Sequence, residues 1–576
     1  MDPDTDVDDL LKALGTWGKF QRFQLLFNLF GIWPTAFHVL STVFIYRPGF
    51  DCRIPDENIY NTTSLDTDVS YEIGQCNVKV MMNATNTTSE STLGCNGYSY
   101  AFPKDRSYVT EWDLVCDRSA LGEFTQTLLM IGQAVGATVC TSLSDRFGRK
   151  TLNLSSHLCL FVVGIAMAFS PNYTVFAVLR FFMGLFQQGM AMSITVITLE
   201  IIPMEKRFLV EIFGLLIWTS GVAMITPFGY FLRHYSWRYT QLALTLVSSY
   251  SLIQYWIQEE SIRWLLINNK LKEAERIVRK AARWNNVKYD DVIKEVEKMR
   301  AEKILMENNV GNDGSQEESF IQNNSNNDSQ SKPFHEQDSM NKNGTGKIGY
   351  EVEHLNATHI FREKRILINS LILWFTWITN SLTYFALTLT STSLAGNRFL
   401  NYLLMCLVEY PAALVEFLCL NRIGRKKTCI MFHVICGLSL ATATFANYYS
   451  DGNDSLVTTS RVFTFVGKMS ITGSFSTIFL YTPELYPTNL RNVGIGFSSA
   501  ASRAGGMVSP FAATLAMYVA WGPGAVFGSM CFIVSFLCLY LPETRGHELP
   551  QTIEELKQWY KQHSGRGNRK AAKETL

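Results

Sequence analysis

Two cations stand inside apolar stretches near the C-terminus of this 576-residue chain, Lys468 in GKMSITGSFS and Arg503 in SSAASRAGG. Arg503 lies twelve residues past Arg491, where its apolar run begins. At about 1.5 Å per helical residue that is roughly 18 Å of depth, near the midplane of a bilayer. A guanidinium there costs about 3 kcal/mol or more on insertion scales, so it must face a partner or a water-filled cavity. The chemistry such a group offers is capture of an anion, a carboxylate above all, and repulsion of ammonium groups. Three more residues belong with it. Glu409 in CLVEYPAAL is a carboxylate within an apolar run, and Trp377 and Tyr384, seven apart, share one helix face that would hold an ammonium by cation–π attraction. The plainer reading makes Glu409 an interhelical ion pair with Arg503 or Lys468, and the aromatics packing or interfacial anchors.

Elements that position these residues follow from the apolar runs. The chain is 47% hydrophobic and its net charge is only +1, so where each sign sits says more than the total. Runs of about 20 apolar residues fall near 21–46, 121–143, 151–170, 175–198, 208–232, 239–257, 366–390, 399–420, 429–448, 457–481, 491–518 and 522–542. This predicts a polytopic, all-α membrane protein of twelve transmembrane helices. The acidic start MDPDTDVDDL lacks the positive n-region of a cleaved signal, so the first run reads as a retained signal-anchor. Arg146, Arg149, Lys150, Lys206, Arg207, Arg422, Arg425, Lys426 and Lys427 all fall on one side, which places both termini in the cytosol; Arg233, Arg238 and Arg398 are the main exceptions.

The organisation expected is a cytosolic N-terminus (1–20), a six-helix bundle (21–257), a cytosolic linker (258–365), a second bundle (366–542) and a cytosolic tail (543–576). Loop 47–120 is then extracellular. It holds Cys52, Cys76, Cys95 and Cys116, expected to form disulfides in one of three pairings, and sequons at Asn61, Asn83 and Asn86, expected to be glycosylated. In the linker, Leu271, Ala274, Ile277, Val278 and Ala281 form one apolar stripe, predicting short amphipathic helices. The Asn- and Ser-rich stretch 307–356 is expected to be disordered. There is no nucleophile with a paired base, no phosphate-cradling Gly loop and no metal-ligand spacing, so an enzyme or a metal site is not expected, nor is a nucleic-acid partner.

An internal repeat ties the halves together. SDRFGRK at Ser144 returns as NRIGRKK at Asn421, and EESIR at Glu259 as PETR at Pro542. Arg180, Gln187, Glu200 and Arg207 are spaced 7, 13 and 7 apart; Arg461, Lys468, Glu484 and Arg491 are spaced 7, 16 and 7. Offsets of roughly 276 to 284 residues put each echo at the same place in a second six-helix half, the parallel-repeat plan of secondary transporters. Asp145, Arg146, Gly148, Arg149, Lys150, Arg180, Glu200, Arg207, Arg425, Glu484 and Arg491 are accordingly assigned to inner-face gating motifs, with Glu484 and Arg491 latching neighbouring helices.

With DRFGRK after the second helix, WGKFQR before the first, VTEWDLVC entering the second and ELYPTNLRNVGIG entering the eleventh, the chain resembles the major facilitator superfamily over nearly its whole length. Within it, the chain resembles the branch of organic cation, organic anion and carnitine transporters. The resemblance implies two pseudo-symmetric six-helix bundles with the substrate between them. It also implies a meaning for Arg503: cation carriers of the branch have an acidic residue there, and anion and carnitine carriers an Arg. Gln187 matches, by spacing, a helix 4 glutamine of the carnitine-type members, and Glu409 an acidic helix 8 position widely seen in the branch. The chain departs from the pattern in having four loop cysteines where relatives commonly show six, in EESIRW after the sixth run, and in Asn421 where the second turn would begin with an acid; Asp145 should then give the first half the stronger latch.

The expectation is a plasma-membrane carrier of small organic ions, carnitine-like zwitterions or organic anions, working by alternating access with Arg503, Lys468, Gln187, Glu409, Trp377 and Tyr384 at the substrate. No cofactor is expected, and sodium coupling rests on Gln187 alone. An organic cation carrier is one alternative, and a non-transporting receptor or scaffold is another.

Overall fold

The computed structural model describes residues 6–44, 50–53, 68–74, 76–84, 87–301, 358–451, 453–487, 490–545 and 555–556. The stretch 307–356, Asn61, Asn86 and nearly all of the tail 543–576 lie outside the described residues, as do the side chains of Asn83 and Arg207. Two compact units are present. One comprises Met1–Leu25, Leu199–Phe208 and Glu259–His354; the other comprises Leu26–Thr198, Leu209–Gln258 and Leu355–Leu576.

Twelve apolar helices follow the twelve apolar runs. They are α1 (Lys19–Phe44), α2 (Cys116–Phe147), α3 (Arg149–Ala168), α4 (Tyr173–Ile201), α5 (Arg207–Phe231) and α6 (Trp237–Leu246, continued through Val247–Tyr250 and Ser251–Ile257). After the linker come α7 (Lys364–Thr390), α8 (Arg398–Ile423), α9 (Arg425–Tyr448), α10 (Asp454–Glu484), α11 (Arg491–Val508, then Phe511–Tyr518) and α12 (Gly522–Cys538). Polar caps extend some of them past their apolar runs: α10 starts at Asp454 because the Asn453 side chain accepts from Ser455 N.

The two GRK turns need glycine. Gly148 and Gly424 have φ of 101° and 91°, the region that a Cβ disfavours, and each is the hinge between two antiparallel helices. The end of the bundle that carries these turns is called the turn end below; the opposite one, which carries the cysteine loop, is the loop end. In the first half α2 and α4 touch backbone to backbone: a Cβ on Gly132 would lie 2.0 Å from Phe181 O, and one on Gly184 2.0 Å from Leu129 O. Amides join α3 to α6, with Asn153 Nδ2 donating to Gln258 Oε1 (3.0 Å) and His157 Nδ1 lying 2.6 Å from Gln254 Oε1. In the second half α9 packs along α10 and α12.

The cysteine loop adds strands that the helical periodicity does not announce. β1 (Phe50–Cys52) pairs with β5 (Tyr98–Tyr100), and β2 (Asp68–Ile73), β3 (Asn77–Ala84) and β4 (Thr87–Gly94) form an antiparallel meander. The disulfides are Cys52–Cys95 and Cys76–Cys116, which selects one of the three pairings. VTEWDLVC then docks the loop on the bundle. Glu111 accepts from Arg238 Nη2 and Trp237 Nε1, both at 2.6 Å, while Trp112 and Trp237 pack on Phe176. Asp113 accepts from Tyr100 OH at 2.9 Å; burial and this bond hold the Tyr100 phenol well above its ordinary pKa.

In the smaller unit the expected stripe forms the helix Leu271–Trp284, which buries Ala274, Ile277, Val278 and Ala281 against Leu10, Leu14, Ile262 and Leu265. EESIRW also has a role there. Ser261 caps the helix Ile262–Ile267 by accepting from Trp264 N, and Glu259 lies 2.5 Å from Lys280 Nζ.

Gly184→Ala should lose about 1–3 kcal/mol through overpacking, whereas Gly214→Ala, which meets nothing within 4 Å, should melt at or slightly above the parent temperature. Thermal melting of the purified protein checks this; equal melting points would refute the close approach of α2 and α4.

Candidate functional site

Lys468 and Glu409 meet midway along the second half. Lys468 Nζ is 3.1 Å from Glu409 Oε1 with both side chains 1% exposed, so each charge has left water and must be answered inside the protein. The answer is nearly complete. Nζ donates to Thr388 Oγ1 (2.7 Å) and sits over the Tyr384 ring, 3.1 Å from its centroid. Tyr384 OH donates to Glu409 Oε1 (2.7 Å), Thr219 Oγ1 donates to Oε2 (3.1 Å), and Trp218 Nε1 donates to the Tyr384 oxygen (3.1 Å). Helix periodicity accounts for the convergence, since Tyr384 and Thr388 are one turn apart on α7. Thr219 and Trp218 come from α5, in the other half.

Arg503 is held differently. Nη1 donates to Gln133 Oε1 (2.9 Å) on α2 and Nη2 to Gln188 Oε1 (3.0 Å) on α4. Gln133 Nε2 in turn donates to Gln187 Oε1 (2.6 Å), which fixes the direction of the Gln133 amide. Nε is buried with no hydrogen-bond partner among the described residues. The acceptors found for this guanidinium are therefore neutral amides, all from the first half, whereas the partners of Lys468 belong to the second.

The six residues singled out at the substrate thus separate into two groups. Glu409, Lys468 and Tyr384 form one with Thr219, Trp218 and Thr388. Arg503 and Gln187 form the other with Gln133 and Gln188. Trp377 stands apart: its Nε1 donates to Thr482 Oγ1 (2.9 Å) and its ring packs on Phe479 and Phe475, the second of which also touches Tyr384. The face expected to receive an ammonium is taken by Lys468. Gln133, Gln188, Trp218, Thr219 and Thr388 escaped sequence reading, their only signal being polar atoms within apolar runs.

The family-model match decides the architecture's lineage: the model described as Major Facilitator Superfamily matches residues 119–510. The chain belongs to that superfamily. Relatives of this facilitator include an organic cation transporter protein of Drosophila melanogaster, 29% identical over 95% of this chain and 94% of that one. The human organic cation/carnitine transporter 2 is 28% identical over 96% and 94%, and mouse organic anion transporter 3 is 28% identical over 96% and 95%. Among solved structures, the partially occluded inward-open xylose transporter XylE of E. coli superposes with a TM-score of 0.57 at 14% identity, covering 92% of this chain and 99% of that one. That likeness supports the twelve-helix, two-bundle fold.

Facilitator turns lie together at the turn end, as the repeat requires. Asp145 pairs with Arg149 at 3.0 Å, but the Asp145 side chain is 70% exposed, so this pair is worth at most about 1 kcal/mol. The second turn draws its acids from elsewhere. Arg425 meets Glu484 at 3.2 Å, its backbone N donates to Glu543 Oε1 at 2.8 Å, and Thr544 Oγ1 donates to Glu484. The acids absent from NRIGRKK are supplied by α10 and PETR. Arg491 Nε donates to Pro483 O, and Glu200 lies near the C-terminal end of α4. Arg146 and Lys150 lie against Phe147 and Tyr255.

Arg180 is a correction. It sits seven residues into α4 at the loop end, fully buried, donating to His38 O and Ser41 Oγ of α1 and to Gln126 Oε1 of α2, and so ties three helices far from the inner-face motifs. Arg461, at the same position of α10, donates to Ala395 O in the α7–α8 connection, likewise at the loop end.

Lys468→Met should cost about 3–5 kcal/mol by stranding a buried carboxylate, and Lys468→Met with Glu409→Gln should recover most of that loss. A double-mutant cycle on melting temperature reads the coupling; additive losses would deny it.

Proposed function

We propose that this facilitator is a multi-pass plasma-membrane carrier of small organic anions, or of zwitterions presenting a carboxylate, with both termini in the cytosol. One observation carries the reading: at the centre of the bundle the acceptors of Arg503 among the described residues are neutral amide oxygens, while the neighbouring cation Lys468 is already neutralised by Glu409; Arg180, buried with neutral acceptors of its own, lies away at the loop end. The centre is therefore left with one positive charge, which a substrate carboxylate would compensate with a bidentate, charge-assisted pair.

Alternating access follows from which half owns each bond. Lys468, Glu409, Tyr384 and Thr388 stay together within the second half however the halves move. Arg503 depends on Gln133 and Gln188 across the interface, so rocking the halves apart at that level strips it of both acceptors. A bound carboxylate takes their place and lowers the barrier to the exchange of conformations. A zwitterion's cationic end would rest on neutral aromatic surface, because Glu409 and the Tyr384 face are occupied; a substrate bearing only positive charge is disfavoured for the same reason, and the cation carriers among the relatives do not outweigh it.

In cells expressing the protein, Arg503→Gln should lower uptake of a carboxylate probe such as p-aminohippurate or carnitine about tenfold to a hundredfold at unchanged surface expression. Tetraethylammonium should not compete in the parent. Unchanged carboxylate uptake in the variant, or competition by tetraethylammonium alone, would overturn the assignment, and binding without flux in vesicles would favour a receptor. Repeating the assay with sodium replaced decides whether sodium is carried too.

A further inference from the structure

Aromatic rings from both halves meet at the loop end. Phe44, at the end of α1, stacks on Phe399 of α8 with ring centroids 5.2 Å apart and meets Tyr402 edge-on at 4.9 Å. Phe399 also meets Tyr230, at the end of α5, at 5.4 Å. Gly229 makes room for the Phe44 ring, because a Cβ there would lie 2.6 Å from Phe44 Cδ2. Tyr402 OH donates to Val222 O of α5 at 3.2 Å. Since α1 and α5 belong to the first half and α8 to the second, the three ring pairs and this bond all cross the interface. Ring pairs attract through dispersion and quadrupoles, so parting them strands no buried ion. Contacts of this kind suit a closure that is made and broken.

Behind the rings lies a free thiol, Cys406. Tyr402, Cys406 and Glu409 follow one another at helical spacing on α8 and so share a stripe. All three are buried, at 0%, 1% and 1% exposure. Because α8 runs inward from the loop end, four residues at about 1.5 Å each set Cys406 roughly 6 Å deeper than Tyr402. The thiol therefore stands between the ring cluster and the carboxylate that holds Lys468. A thiol reacts as its hydrated thiolate, so Cys406 is inert while the rings keep water from it.

We propose that Phe44, Phe399 and Tyr402 are the latch that closes the loop end of this facilitator, and that Cys406 is a modification site for thiol-directed electrophiles that becomes reactive when the latch opens. With a maleimide the sulfur bonds one carbon of the ring double bond, the thiol proton passes through water to the other, and nothing leaves. At fixed reagent the rate follows the fraction of molecules whose latch is open. The latch depends on the rocking of the two halves proposed for the transport cycle, not on what the centre binds. Uptake of a carboxylate and labelling of Cys406 therefore fail separately.

The test is labelling of the full-length chain in nanodiscs with N-ethylmaleimide and, separately, with the bulkier fluorescein maleimide, the labelled peptides being read by mass spectrometry. Cys406 should react slowly in the parent and about tenfold faster with both reagents in Phe44→Ala and in Phe399→Leu. If Phe44→Ala melts early, Phe399→Leu, which keeps most of the apolar volume, carries the same reading. Cys436 and Cys531, both 0% exposed in the second half, should stay unlabelled throughout. Labelling of Cys406 that is unchanged in both variants would overturn the proposal. So would acceleration with N-ethylmaleimide alone, which a hole left by one ring would explain, or equal acceleration at Cys436 and Cys531, which would mark general loosening of the half.

Discussion

Everything at the centre of this molecule follows from one constraint: a charge taken out of water in an apolar interior must be answered by polar groups inside the protein. Lys468 satisfies the constraint locally. Its carboxylate, hydroxyl and aromatic partners stand on α7 and α8 of its own half, so the pair is rigid and electrically silent. Arg503 satisfies it with dipoles borrowed from the other half. A hydrogen bond to a charged group is worth about 1.5–3 kcal/mol, so two amide acceptors roughly offset an insertion cost of about 3 kcal/mol without the stronger pairing a carboxylate would give. The guanidinium is tolerated rather than neutralised.

That difference gives the repeat its meaning. Gln187 stands fourteen residues after Tyr173 at the start of α4, and Lys468 fourteen after Asp454 at the start of α10; Arg180 and Arg461 stand seven after the same starts. The duplicated helices kept their register and diverged in chemistry. In the first half the position next to the interface became an amide that relays to Gln133 and so to Arg503. In the second it became an ammonium, with Glu409 and Tyr384 beside it. Symmetry of the scaffold with asymmetry of charge leaves one half supplying neutral acceptors and the other supplying the charge that needs them.

Sequence alone was sufficient for the parts governed by long-range regularity. Twelve apolar runs became twelve helices because about 20 residues of low polarity have few other stable destinations, and the stripe from Leu271 to Ala281 packed as its period required. Pairings were less legible, because they depend on which helices are neighbours. Glu409 had two cations available on spacing alone, and only the adjacency of α8 and α10 chose Lys468. Gln133 and Gln188 gave no signal, since an amide in an apolar helix reads as noise until a guanidinium is found opposite. The spacing of Arg180 to Gln187 fixes its helix face but not which end of α4 it occupies, and α4 starts at the loop end. The cysteine loop defeated periodicity for another reason: strands three to eight residues long, fixed by two disulfides, carry too little pattern to stand out.

The second GRK turn shows how far a motif can be carried without its neighbours. Asn421 stands where the second turn would begin with an acid, and the work of that acid is to give the following arginine and the exposed helix N-terminus a negative partner. Position in the chain is irrelevant to that task. Glu543 reaches the backbone N of Arg425 from the segment after α12, and Glu484 reaches its side chain from the end of α10, so this turn is bound by three elements. A latch made from α10, α12 and the α8–α9 turn couples the helix that carries Lys468 to the rest of its half. The buried ion pair and the turn-end latch therefore stiffen the same body, and the interface that holds Arg503 is left as the place where the two halves yield.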